Sequence, residues 1–164
     1  MLISPELATA INEQIGRELG AGLQYLSIAG HFHVQKLTLL AKLFFKQAEE
    51  ENMHALKFLH YVLDTQGELR IPAVAEPKQT FATAEEAAQA ALTWETEVTG
   101  QINRLMDLAV SQNDYLAQNF LQWYVDEQLE EVMKMEQLLS VIRRAGERNL
   151  LMVEAYLVHI DKAG

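Results

Sequence analysis

Four stretches of this chain carry apolar residues on a 4,3,4,3 spacing, and each of these stripes is broken near its middle by strongly polar side chains. The first runs Ile11, Ile15, Glu18, Gly22, Tyr25, Ala29, Phe32, and the second Leu40, Phe44, Gln47, Glu51, His54, Phe58, Tyr61. The third is Ala84, Ala88, Ala91, Glu95, Val98, Ile102, Leu105, Ala109, and the fourth Ala117, Leu121, Tyr124, Gln128, Glu131, Met135, Leu138, Ile142. Such spacing marks the face that a helix turns toward a bundle core. A chain so patterned buries its four stripes against one another. In doing so it carries Glu18, Glu51, His54, Glu95, Gln128 and Glu131 inside.

The helix breakers divide the chain accordingly. Ser4-Pro5 is an N-cap followed by an N1 proline, and no further proline appears before Pro72, so two long helices fit between, with a break near residues 33–37. Residues 66–83, with Gly67, Pro72 and Pro77, form the one long irregular stretch. Thr83 and Glu86 then read as a capping box opening a third helix that runs to about Val110. A polar turn at 111–114 leads to a fourth helix that runs to about Arg144 and is stopped at Ala145-Gly146. A short fifth follows near 150–160. No segment alternates like a strand, so the class is all-α, and 164 residues make one domain spanning 1–164.

Short connections make the first two helices antiparallel neighbours, and likewise the third and fourth. The middle connection is different. A helix of about 28 residues spans roughly 42 Å, while about 18 extended residues reach roughly 60 Å. Residues 66–83 can therefore cross the whole bundle, giving a four-helix bundle with one long crossover and a short fifth C-terminal helix. The alternative is a loose linker between two hairpins. Leu69, Ile71, Val74 and Phe81 favour the crossover by giving it apolar groups to bury.

Composition narrows the partners. With 23 acids against 13 Lys plus Arg, the net charge of −10 disfavours nucleic acid and anionic membrane surfaces and favours cations. The absence of cysteine excludes disulfides, thiolate metal sites and a cysteine nucleophile. Neither a leader-like N-terminus nor a long apolar run is present, and the expectation is a soluble, cytoplasmic protein.

Four carboxylates facing one core cannot stay charged and unpaired. Along the stripes from Ile11 to Ile142 no Lys or Arg appears to neutralise them. Protonation costs about 1.4 kcal/mol per unit of raised pKa. A pair of metal ions is the better answer, and Glu51-x-x-His54 sets a carboxylate and an imidazole one turn apart on one face. Oxygen-rich ligation with imidazole suits iron or manganese better than structural zinc. The plain reading of each break is a solvated face, and three consecutive acids, Glu49 to Glu51, make one inward carboxylate unremarkable. Coincidence of the breaks at comparable heights on four stripes favours the metal. His31 and His33, two residues apart, point to different sides, and His60 and His159 are isolated. The aromatic run 120–124 reads as core and subunit contact, and Met53 as a packed methionine.

The stretches NEQIGREL, QAEEENMHALKF, WETEVTGQIN and NDYLAQNFLQWYVDEQLEEV resemble the non-haem bacterial and archaeal ferritins, over essentially the whole chain. The resemblance implies a diiron ferroxidase centre with Glu18, Glu51 and His54 at one iron, Glu51 bridging, and Glu95 with Glu131 at the other. Gln128 would lie near where dioxygen binds, and Tyr25 matches the tyrosine kept beside the centre. Glu50, Glu127 and Glu130 match an outer third iron site through which oxidised iron leaves. Two departures separate the chain from the related bacterioferritins. The fourth helix has no second E-x-x-H, and Asn52 stands where their haem-ligating methionine would be, so haem is not expected. The implied function is iron storage: Fe(II) is oxidised by dioxygen or peroxide and deposited as ferric oxide inside a shell of 24 subunits. Two rivals are a diiron or dimanganese peroxidase or oxygenase, which needs a substrate pocket, and a metal-free helical interaction protein.

Overall fold

The computed structural model describes residues 2–163. It contains α1 (Pro5–Val34), α2 (Thr38–Asp64), α3 (Ala84–Ser111), α4 (Tyr115–Ala145), a 3₁₀ turn (Glu147–Asn149) and α5 (Leu150–Ala163). The 3₁₀ turn was not legible in the sequence. The other boundaries follow the pattern of breakers to within a few residues.

The starts of α1 to α4 are capped, partly by remote side chains. The Ser4 hydroxyl accepts from Leu7 N at 3.1 Å, Thr83 Oγ1 from Glu86 N at 3.0 Å, and Asp114 Oδ1 from Ala117 N at 2.9 Å. Helix α2 has no cap of its own. Instead, Leu39 N and Leu40 N donate to the Glu154 carboxylate of α5 at 2.9 and 2.8 Å. Glu147 similarly accepts from Ala84 N and Glu85 N at the start of α3. Placing an acid at a helix N-terminus satisfies its free N–H groups and complements the dipole. Helices α1, α2 and α3 each end through a left-handed residue, Lys36, Gln66 and Asn113 with φ of 63°, 60° and 53°. After each, the next N–H bonds back five residues, as in a Schellman closure.

The crossover is real and tightly held. Leu2 N donates to Thr65 O at 2.8 Å and Ser4 Oγ to Gln112 Oε1 at 2.6 Å, so the start of α1 lies with the ends of both α2 and α3. Helices α2 and α3 are therefore parallel, and residues 66–83 return along α1. Two amides of α1 clamp the returning backbone from both sides. Asn12 donates to Glu68 O at 2.7 Å and accepts from Arg70 N at 3.1 Å. Gln24 donates to Lys78 O at 3.2 Å and accepts from Lys78 N at 2.9 Å. Pro72 presses so closely on α1 that a Cβ at Gly16 would collide with it. Among the apolar groups expected to anchor the segment, Phe81 is buried, but Ile71 is 57% exposed. The buried amides, not Ile71, fasten this part of the chain.

Every residue of the four stripes is buried. The apolar core falls into two halves. One is built around Tyr25, Phe32, Phe44, Ala88 and Met135, and the other around Ile11, Phe58, Ile102, Leu121 and Tyr124. Between them lies the polar layer. Helix α5 packs across the ends of α2 and α4 and closes the first half.

Candidate metal centre

The polar layer is shut away from bulk solvent. Glu18, Glu51, Glu95 and Glu131 are each no more than 2% exposed, and His54 is 4% exposed. Helix periodicity puts them there, since each sits on a stripe that is apolar or small on both sides of its polar break. Oxygen and nitrogen atoms of Glu18, Glu51 and His54 lie within 4.8 Å of one another, and so do oxygens of Glu51, Glu95 and Glu131. Glu51 belongs to both groups. That is the arrangement of two adjacent cation positions sharing one carboxylate. His54 Nδ1 faces it, 3.3 Å from Glu51 Oε2 and 3.8 Å from Glu18 Oε2. Glu18 Oε2 is buried without a hydrogen-bond partner, an acceptor that a cation would satisfy.

Amides and hydroxyls orient the carboxylates. Gln14 donates to Glu18 Oε1 at 2.7 Å. The hydroxyl of Tyr25 donates to Glu95, and Gln128 donates to Glu95 Oε2 at 3.1 Å. Gln47 donates to Glu51 Oε1 at 3.1 Å and to Glu131 Oε2 at 2.6 Å. The Tyr124 hydroxyl donates to the His54 carbonyl at 2.8 Å. Trp123 stands edge-on to the imidazole at 5.4 Å between centroids. Sequence reasoning did not single out Gln14, and it left Gln47 as an unremarked member of its stripe. A buried amide within four residues of a ligand carboxylate was the signal available for both.

Burial pushes Glu51 up to about 7 and Glu95 up to about 8, with each raised further by neighbouring carboxylates. Glu131 is also raised, chiefly by burial. For His54, burial opposes protonation, but the Glu18 and Glu51 carboxylates beside it prevail and raise it to about 10. Without metal, protons on this cluster therefore supply positive charge. Divalent ions would displace them.

One expectation requires correction. No Lys or Arg lies on a stripe, yet Lys134, one turn beyond Glu131, bends its ammonium to within 3.4 Å of both Glu131 oxygens. It also meets Gln47 Oε1 at 2.8 Å and Glu50 Oε2 at 3.2 Å. A lysine stem lets its charge reach a layer that its Cα does not face. Glu50 is paired with Lys46 as well, at 3.6 Å. Glu127 lies on the far side of His54, 3.9 Å from Nε2, and Glu130 is exposed. Among the described residues, Glu50, Glu127 and Glu130 do not form a third cluster of ligand atoms within 4.8 Å.

The other candidates resolve simply. His31 bonds Gln35 and sits edge-on to Phe32 and Phe81, while His33, His60 and His159 are exposed. Met53 is not packed but 68% exposed. In the run 120–124, Leu121 and Tyr124 are core, whereas Trp123 is 38% exposed beneath the Lys57 ammonium. No described helix is long and apolar enough to cross a membrane.

Known proteins resemble the chain over most of its length. The family description "Ferritin-like domain" matches residues 8–145. Ferritin BfrB of Mycolicibacterium smegmatis is 40% identical over 147 residues, covering 90% of this chain and 81% of the relative. The bacterial non-heme ferritin of Campylobacter jejuni is 30% identical over 161 residues, 97% of this chain and 96% of the relative. Among solved structures, the open pore ferritin of Archaeoglobus fulgidus superposes with a TM-score of 0.91 at 33% identity, covering 94% of this chain and 97% of that one.

Proposed function

This chain belongs to the ferritin family, and from that membership we propose that it stores iron, oxidising Fe(II) at the carboxylate–imidazole layer in the middle of its bundle. The sharing of Glu51 between two ligand clusters carries this reading. Glu18, Glu51 and His54 bind one Fe(II) substrate ion, and Glu51, Glu95 and Glu131 the second. Each ion gives up one electron. Dioxygen takes the pair with two protons and leaves as hydrogen peroxide, or peroxide takes them with two protons and leaves as water. Anionic oxygen ligands favour Fe(III) over Fe(II) and so assist the oxidation. Gln128 and Tyr25 hold Glu95 in place, and Gln14 holds Glu18. On either side of the layer the bundle is filled by core aromatics, Tyr25 near Phe44 and Phe58 stacked on Tyr124 at 3.9 Å. That favours storage over an oxygenase acting on an organic substrate.

Ferric product then hydrolyses and is deposited as mineral inside a shell of 24 copies. Assembly is supported by apolar side chains left outward on α1 and α2, with Leu23, Leu26, Phe45 and Met53 between 40% and 68% exposed.

The test is anaerobic Fe(II) titration followed by oxygen, on wild type and Glu51→Ala. Wild type is expected to oxidise Fe(II) rapidly and retain it in a particle far larger than the 18.6 kDa subunit. The variant should assemble normally and lose the rapid phase. Equal initial rates would rule out the bridging site. A wild-type monomer or dimer would rule out storage.

A further inference from the structure

The diiron reading leaves Lys134 without a role, although its ammonium reaches both oxygens of a proposed ligand, Glu131. Its ammonium sits 3.2 Å from Glu50 Oε2 and 3.4 Å from both oxygens of Glu131, with Gln47 Oε1 at 2.8 Å as a further acceptor. Glu50 belongs to the outer iron site that the resemblance implies and Glu131 to the second ion position, so the ammonium that joins them lies between the two. Two cations cannot occupy that space together. We propose that Lys134 is an internal cation that holds the outer carboxylate position between Glu50 and Glu131, so that each subunit binds two iron ions and no third ion while Lys134 is in place.

Charge balance supports this directly. Four inward carboxylates, Glu18, Glu51, Glu95 and Glu131, match the charge of two divalent ions with His54 neutral. Lys134 then matches Glu50. A third divalent ion at Glu50 would have to displace a tethered ammonium that cannot diffuse away, and Lys46 in addition. The remaining acids on this side, Glu127 and Glu130, are at the solvent edge and bind a cation weakly on their own. The Lys134 side chain is 40% exposed, so replacing it removes charge without opening the core.

The inference rests on the diiron reading and is tested separately from it. Anaerobic Co(II) titration of the assembled protein, followed by its visible d–d absorption and by calorimetry, should saturate near two ions per subunit in wild type. Lys134→Leu and Lys134→Gln should saturate near three, and Lys134→Arg, which keeps the charge, near two. Three ions in wild type, or two in both neutral variants, would overturn the role of Lys134 and leave the diiron centre standing. No Co(II) bound by any form would overturn both.

Discussion

At the scale of single residues, the centre depends on groups that hold the ligands as much as on the ligands themselves. Glu18 shows this most clearly, since one of its oxygens is bonded to Gln14 and the other has no hydrogen-bond partner. Replacing Gln14 by Leu leaves the buried carboxylate free to turn. Losing such a partner typically costs about 10- to 100-fold in metal affinity. The expected result for Gln14→Leu is that loss at the Glu18–Glu51–His54 position alone, seen as a split of the Co(II) isotherm into one unchanged and one weakened step. Uniform weakening of both steps would show that Gln14 does not act locally. The ligands themselves were legible in the sequence, because a carboxylate on an apolar stripe is conspicuous. Lys134 was not, because its Cα lies off the stripe and only the length of its side chain brings it in.

At the scale of elements, the crossover sets the topology and two buried amides fasten it. Asn12 satisfies a carbonyl at Glu68 and an N–H at Arg70. A hydrogen bond of this kind contributes about 0.5–1.5 kcal/mol. Asn12→Leu is therefore expected to destabilise the subunit by about that amount and to expose residues 66–74 to protease while leaving metal stoichiometry unchanged. Unaltered cleavage kinetics would mean that Pro72 and its neighbours hold the segment without the amide. The existence of a bundle-length connection followed from counting residues. Its fastening did not, because Asn12 and Gln24 lie on a second buried face of α1, which a single-stripe reading treats as solvent. The breaks after α1 and α2 were legible, but their left-handed closures at Lys36 and Gln66 were not, since neither residue type advertises such a turn as glycine does.

At the scale of the whole molecule, the polar layer couples folding to pH. Glu51 and Glu95 are raised by burial to about 7 and about 8, above an unfolded carboxylate near ~4.3. Between those limits the folded metal-free protein holds more protons than the unfolded chain, so its stability falls as pH rises. His54, raised to about 10, adds a decline in the same direction above its unfolded value near ~6.5. Metal-free protein should therefore resist denaturant better at pH 5.5 than at pH 8.5. Loading with Co(II) should flatten or reverse that trend, because ions replace the protons. A metal-free stability that rises across this interval would contradict the assignment of these groups to the buried interior.

The sequence by itself determined which residues form the four stripes, where the helices lie, that a polar layer interrupts the core, and which side chains make it up. It could do so because helical periodicity is local and burial of an apolar stripe is obligatory. Only the tertiary structure decided that Glu51 lies within reach of both ligand groups, that Lys134 reaches Glu131 and Glu50, and that Glu147 and Glu154 cap helices more than 60 residues earlier in the chain. These depend on distances between segments remote in sequence and on how far long side chains reach, which no periodicity encodes.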